Sequence, residues 1–138
     1  MMKPVDQLIT HDPENGKFGD CQRAVIASLL CLPLEDVPHF NEIAKGEPEA
    51  FWTSLQEFCA SKGYAYLTVP ARSGFAFFCG GEDVYHEISG PSPRGDFFHA
   101  VVGRDGEIVH DPHPSRAGLA GDPSKWTYSY LVFKGVKA

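Results

Sequence analysis

Apolar residues in the first half of the chain recur at helical spacing. Residues 20–32 have the sequence DCQRAVIASLLCL, which is apolar on almost every side and predicts a helix buried at the centre of a domain. Pro33 ends this helix, since proline cannot continue it. Asp20 can cap its start, which places Cys21 in the first turn, where free backbone N–H groups and the helix dipole favour an anion.

A second helix is predicted over residues 48–62, after the polar connector formed by residues 33–47. Pro48 suits the first helical position, and Gly63 suits the end. The apolar positions at helical spacing are Phe51, Leu55, Phe58 and Cys59. This helix is therefore expected to be amphipathic and to pack on one side only.

From residue 64 onward the pattern shortens to runs that are typical of strands. The predicted strands are residues 64–69, 75–79, 84–88, 97–103, 107–110 and 126–133. Helices followed by strands along the chain indicate an α+β fold with an antiparallel sheet. Two loops rich in glycine and proline, residues 89–96 and 112–125, are expected to form the walls of a cleft.

Length and composition indicate one domain over residues 1–138. A chain of 138 residues can bury one core, and its 43% hydrophobic and 22% charged residues are typical of a globular protein. Prolines and glycines make residues 1–19 an irregular lead-in to the first helix.

Charge and hydropathy exclude several classes of partner. The formal net charge is -6, and the 12 Lys and Arg residues are scattered rather than clustered as on a nucleic-acid-binding face. No apolar run reaches the length of a membrane span or of a signal peptide. The 4 cysteines are spaced unlike the disulfide framework of a secreted domain. We therefore expect a soluble cytoplasmic protein that binds neither nucleic acid nor membrane.

Cys21 is the strongest candidate for a nucleophile. A thiol attacks as its thiolate, and a helix N-terminus beside a protonated imidazole favours that form. Cys21 has such a position, whereas free cysteines elsewhere usually behave as small core residues. The other cysteines, which all lie in segments predicted to be apolar, are Cys31, Cys59 and Cys79.

His99 is the candidate base, because it begins a predicted strand. The following segment 103–107, GRDGE, suits a three-residue hairpin loop with Gly106 in the left-handed region as a bulge. In that register His99 lies directly opposite Asp111, with both side chains on one face and close enough to hydrogen-bond. The pattern predicts a triad of Cys21, His99 and Asp111, in which Asp111 orients the imidazole and no cofactor is needed.

A different turn would lead to different chemistry. If the hairpin has a two-residue turn, Asp111 moves to the face opposite His99. That register favours a metal site formed by His99, His110 and His113, as in a metallohydrolase. We favour the bulged register, partly because it gives Cys21 a role.

Acyl transfer also requires hydrogen-bond donors for the developing oxyanion. The backbone N–H of Cys21 is one candidate, and the carboxamide of Asn15, six positions earlier, is the other. Gln22 and His113 are candidates for substrate contact, because Gln22 follows the thiol and His113 lies in a predicted cleft-side loop.

An amide residue, then Asp-Cys six positions later at the start of a buried helix, resembles the papain-like cysteine peptidase superfamily. The similarity is greatest to the leader-cleaving peptidase domains of bacteriocin exporters. Those domains also have a His at the start of one strand and an Asp-Pro pair at the end of the next, as His99 and Asp111-Pro112 stand here. Asn15 replaces the family's Gln, and Gln22 replaces its Gly.

The resemblance implies a papain-like fold, in which a buried N-terminal catalytic helix packs against an antiparallel β-sheet. It also implies a peptidase or amidase that uses a Cys-His-Asp triad on a peptide, a protein or a small amide. The departures at Asn15 and Gln22 suggest an alternative, a catalytically inactive binding module on the same fold.

Overall fold

The computed structural model describes residues 2–71 and 83–135 of the chain. Within these residues three α-helices precede all the strands of a five-stranded antiparallel sheet, which confirms the predicted α+β class. The predicted strand at residues 75–79 lies outside the described residues. No helix in the described part of the chain combines the length and hydrophobicity of a membrane span; the longest has 14 residues.

The helices are α1 (Cys21–Leu30), α2 (Phe40–Ala44) and α3 (Pro48–Ser61). The strands are β1 (Tyr64–Pro70), β2 (Tyr85–Pro91), β3 (Phe98–Arg104), β4 (Glu107–His110) and β5 (Thr127–Phe133). Their order in the sheet is β1-β5-β2-β3-β4. Strand β2 extends further than the predicted strand 84–88, into the segment expected to be a loop.

Helix α1 is buried on two sides, as its uniformly apolar sequence predicts. On one side Ile26 packs in a cluster with Phe40 and Leu55, and on the other Val25 packs in a cluster with Val102 of β3. Full burial of an aliphatic side chain stabilises the fold by roughly 1.5–3 kcal/mol. Contacts of this kind hold α1 against β3, so that the start of the helix is presented to the sheet.

The hairpin between β3 and β4 does not have the predicted three-residue loop. Asp105 and Gly106 form a two-residue turn in which both have positive φ, 51° and 86°, and Arg104 pairs with Glu107. The carboxylate of Asp105 accepts the backbone N–H groups of Asp83 and Val84, both at 2.9 Å. These contacts from the neighbouring chain segment stabilise Asp105 in the left-handed conformation, and hence the shorter turn.

A β-bulge in β4 then shifts the pairing register of β3 and β4 by one residue. Gly103 pairs with Ile108 but Val102 pairs with His110, so β4 contains one extra residue at this point. Without the bulge, Asp111 would be on the sheet face opposite that of His99. The extra residue returns Asp111 to the face of His99, although the two residues are not directly opposite each other as predicted.

Candidate active site

Cys21 is the first residue of α1 and is partly exposed. The preceding residue, Asp20, occupies the N-cap position, and its carbonyl accepts the N–H of Ala24 at 3.0 Å. Its carboxylate does not cap the helix as predicted. Instead, Asp20 Oδ1 accepts the backbone N–H groups of Leu8 at 3.0 Å and Ile9 at 2.8 Å. Asp20 therefore fixes the lead-in segment beside the start of α1.

His99, near the start of β3, lies between Cys21 and Asp111. Its Nε2 is 2.7 Å from Asp111 Oδ1, and its ring also interacts with the Cys21 thiol. Because Nε2 faces Asp111, Nδ1 is the nitrogen left for the thiol. Burial disfavours the charged imidazole, but the bonds with Asp111 and Cys21 outweigh burial and raise the pKa of His99 to about 9. At neutral pH His99 is therefore an imidazolium.

Asp111 is held in its ionised form by a set of donors. Burial disfavours the carboxylate, yet the hydrogen bond from His99 and two backbone N–H bonds lower the pKa of Asp111 to about 2. The backbone donors are His113, 2.9 Å from Oδ1, and Gly118, 2.7 Å from Oδ2. These bonds orient Asp111, so its position relative to His99 is set by the loop that follows β4.

The structure does not bring Asn15 to the thiol. Asn15 ends a short 3-10 turn, Pro13–Asn15, and its side chain is exposed. Its amide donates to the carboxylate of Asp12 at 2.7 Å. The side chain lines neither of the two cavities that contain Cys21, so the geometry does not support the oxyanion role predicted from its spacing.

Two other side-chain amides, which the sequence pattern does not indicate, line a cavity together with Cys21. Gln7 is buried in the lead-in. Its backbone N–H donates to Pro112 O at 3.1 Å, and its side-chain Nε2 donates to Ile9 O at 2.8 Å. Asn41 of α2 donates to Gly19 O at 2.8 Å. No sequence spacing indicates either residue, because the fold of the lead-in and the position of α2 bring them to the thiol.

Two cavities meet at Cys21 and His99. One, with a volume of about 220 Å³, is lined also by Gln7, Arg94 and His113, and we call it the charged cavity. The other, the apolar cavity, has a volume of about 410 Å³. Its further lining includes Gln22, Phe51, Trp52, Tyr66, Phe98 and Ser129. A substrate that reaches the thiol can therefore extend in two chemically different directions.

The two residues predicted to contact substrate lie in different cavities. Gln22 lines the apolar cavity, but its amide donates to the buried carboxylate of Glu87. His113 lines the charged cavity and packs edge-on to His99, with 6.2 Å between ring centroids. Gln22 thus has a structural partner of its own, whereas the ring of His113 contacts the ring of His99.

The metal site considered from the sequence is not assembled. His110 Nε2 donates to Val5 O at 3.0 Å and lies 3.4 Å from Asp6 Oδ1, in a separate cavity that contains neither His99 nor His113. Among residues 2–71 and 83–135, no group of three or more His, Cys, Asp or Glu side chains is arranged to hold a metal ion. The geometry does not support the metallohydrolase alternative.

Comparison with known proteins gives no relative: no family model matches the chain, and no curated protein or solved structure is significantly similar to it.

Proposed function

We propose that this protein is a cysteine hydrolase, a peptidase or amidase with a papain-like arrangement of its reacting groups. The observation that carries the proposal is the buried chain of contacts from the Cys21 thiol through His99 to Asp111. A thiol at a helix N-terminus, an imidazolium beside it and an ionised carboxylate behind the imidazolium are the groups that thiol-based acyl transfer requires.

In the proposed reaction the Cys21 sulfur attacks the acyl carbon of an amide, so that a C–S bond forms and the C–N bond breaks. His99 donates its proton to the leaving nitrogen and becomes neutral. Water then attacks the thioester while His99 takes a proton from it, and breakage of the C–S bond regenerates Cys21 and the imidazolium. Asp111 holds the ring in the required orientation throughout both steps.

The oxyanion in this mechanism has two donors. The backbone N–H of Cys21 is one, because the first N–H groups of an α-helix have no partner within the helix. Gln7 supplies the other: its Nε2 has two hydrogens, and the bond to Ile9 O uses one. This donor replaces Asn15 in the scheme derived from the sequence.

The proposal includes a cytoplasmic location and a peptide, protein or small-amide substrate. The described Cys21 and Cys59 have free thiols, which is typical of proteins in a reducing compartment.

Selective alkylation tests the proposed nucleophile, and the chain supplies its own control. Cys31, at the other end of α1, is exposed but has no place in the site, whereas Cys21 is only partly exposed. With iodoacetamide at pH 6 and mass mapping, we expect Cys21 to react at least about tenfold faster than Cys31, because Cys21 lies at a helix N-terminus beside the His99 imidazole. Labelling of Cys21 no faster than Cys31 would contradict the proposal and favour the inactive binding module.

A matched pair of variants tests the oxyanion donor. Against the best substrate from a panel of peptides and amides, we expect Gln7→Ala to lower kcat by roughly 100-fold, because one donor to the oxyanion is lost. Asn15→Ala, whose amide faces Asp12, should stay near the wild-type rate. Equal effects of the two variants on kcat would remove Gln7 from the mechanism, and Cys21→Ser serves as the inactive reference.

A further inference from the structure

The charged cavity has an unusual balance of charge for an acidic protein. The chain has a net charge of -6, yet among the residues that the structure describes none that lines this cavity is an aspartate or a glutamate. Its lining instead includes Arg94 and the histidines His11, His99 and His113. Groups that donate hydrogen bonds or carry positive charge therefore face the space beside the thiol.

Arg94 differs from the other arginines that the structure describes. Arg23, Arg104 and Arg116 each form an ion pair with an aspartate. Arg94 forms none within residues 2–71 and 83–135; its Nη1 donates to the hydroxyl of Ser115 at 3.3 Å. A guanidinium has five N–H donors in a fork that matches a carboxylate, so Arg94 retains donors for a ligand.

His113 presents a second donor in the same cavity. Its Nδ1 accepts the backbone N–H of Ser115 at 3.0 Å, and this bond assigns the ring proton to Nε2. His113 is only 9% exposed, and its Nε2 has no hydrogen-bond partner in the described part of the chain. A buried donor without a partner is unfavourable, so a ligand that accepts from it gains a favourable bond.

Ser115 connects these two donors. Its hydroxyl accepts from Arg94, which lies between β2 and β3, and is 2.8 Å from His113 Nδ1, so one residue of the loop after β4 contacts both side chains. The same loop supplies the backbone N–H groups that orient Asp111. The two donors are thus fixed relative to the reacting groups.

We propose that Arg94 and His113 form a subsite for a carboxylate of the substrate. This inference rests on the proposed hydrolase and adds the class of its substrate: an amide with a carboxylate on one side of the bond to be cleaved and an apolar group on the other. The carboxylate binds in the charged cavity, and the apolar group binds in the apolar cavity, between Phe51, Trp52 and Phe98. The carboxylate belongs either to a chain terminus or to an acidic side chain.

The test uses reagents that alkylate Cys21 and requires no known substrate. Iodoacetyl compounds that carry a carboxylate one, two or three methylenes beyond their amide are each compared with the matched carboxamide. In the wild-type protein at pH 6, the best carboxylate reagent should alkylate Cys21 about tenfold faster than its carboxamide, because charge-assisted hydrogen bonds hold it in the cavity. Arg94→Gln should abolish most of this preference, and His113→Gln should reduce it.

Arg104→Gln is the matched control, because it removes one arginine charge at the exposed end of β3 and Arg104 lines neither of the cavities that contain Cys21. This variant should keep the wild-type preference. If no carboxylate reagent is preferred, or if Arg94→Gln and Arg104→Gln change the preference equally, the subsite is overturned. Rapid reaction of Cys21 with iodoacetamide itself would still support the hydrolase, so the two proposals fail separately.

Two further reagents distinguish the sources of the carboxylate. Iodoacetyl-glycine presents a terminal carboxylate, whereas iodoacetyl-aspartic acid α-amide presents only a side-chain carboxylate. A preference for the first identifies a substrate with a free C-terminus, and a preference for the second identifies an acidic residue within the chain. Loss of either preference in Arg94→Gln supports the subsite, and its retention contradicts it.

Discussion

Asp111 and Glu87 are both buried carboxylates, one in the loop after β4 and one within β2, and they have different partners. Asp111 accepts from the imidazole of His99 and from two backbone N–H groups. Glu87 is fully buried and accepts from three neutral groups, the hydroxyls of Tyr66 and Ser89 and the amide of Gln22. Within the described residues Glu87 has no cationic partner.

The two environments move the pKa in opposite directions. Burial raises the pKa of Glu87 above its usual range, and the hydrogen bonds from its neutral neighbours do not offset it. Burial acts in the same direction on Asp111, but the imidazole and the backbone donors reverse the outcome and lower its pKa to about 2. The two pKa values therefore shift in opposite directions because a cation adjoins Asp111, whereas none in the described part of the chain adjoins Glu87.

The contrast assigns different tasks to the two groups. Asp111 is a charged group that orients and stabilises the His99 imidazolium. Glu87 holds Gln22 and Tyr66 beneath the apolar cavity, so we interpret it as a structural acid. Burial of Tyr66 beside Glu87 also raises the pKa of its phenol, which keeps that hydroxyl neutral.

The largest expected effect comes from making the same change at both carboxylates. Asp111→Asn should lower kcat/KM by at least about 100-fold, because the amide oxygen still accepts from His99 but lacks the negative charge that stabilises the imidazolium. Glu87→Gln should change kcat/KM by less than about tenfold, because Glu87 does not contact the reacting groups. Steady-state kinetics on the best substrate of the panel checks both. Similar losses of kcat/KM in the two variants would contradict the different roles of Asp111 and Glu87.

An intermediate effect is expected in the pH dependence of stability. Asp111, with its pKa lowered from 3.8 to about 2, contributes stability that is present above about pH 4 and is lost as pH falls toward 2. Glu87, with its raised pKa, contributes stability that is present below about pH 4.5 and is lost as pH rises through that raised value. The two carboxylates thus affect the free energy of unfolding with opposite sign.

Urea unfolding at a series of pH values measures these contributions. The destabilisation by Asp111→Asn relative to wild type should shrink as pH falls from about 4 to 2. Glu87→Gln should become more favourable relative to wild type as pH rises from about 4 to 7, since glutamine has no proton to lose. A Glu87→Gln difference that is independent of pH would show that Glu87 ionises normally in the folded protein.

The smallest effect is expected at Tyr66, whose hydroxyl donates to Glu87. Tyr66→Phe should lower the free energy of unfolding by about 1 kcal/mol, which is typical for one neutral hydrogen bond. Thermal or urea unfolding measures the change, and Tyr64→Phe in the same strand is the control. A loss of activity in Tyr66→Phe without a loss of stability would mean that the Glu87 network takes part in the reaction.

Several features of this protein were determined by local sequence. The apolar residues of α1 recur within a few positions of one another, and burial on two sides follows from that pattern alone. The position of Cys21 at the helix start follows in the same way, because Asp20 and the preceding glycine interrupt the helical pattern. The order of helices and strands, and the β4 segment Glu107–His110, were also predicted from residues close together in the chain.

Tertiary structure decided the features that depend on distant residues. The pair Asp105-Gly106 suits a two-residue turn as well as a three-residue loop, and the backbone N–H groups of Asp83 and Val84 stabilise the two-residue form. The bulge in β4 then restored the contact between His99 and Asp111 by a different register from the one predicted.

Tertiary structure also decided which side-chain amide lines the cavity beside the thiol. Asn15 has the spacing, but its side chain bonds Asp12, whereas Gln7 reaches the cavity because Asp20 fixes the lead-in beside α1. The spacing of apolar residues predicts which face of a helix or strand is buried, because the residues of one face are close together in the sequence. Turn type, register and the approach of one segment to another depend on hydrogen bonds between segments, and only the folded chain brings those partners together.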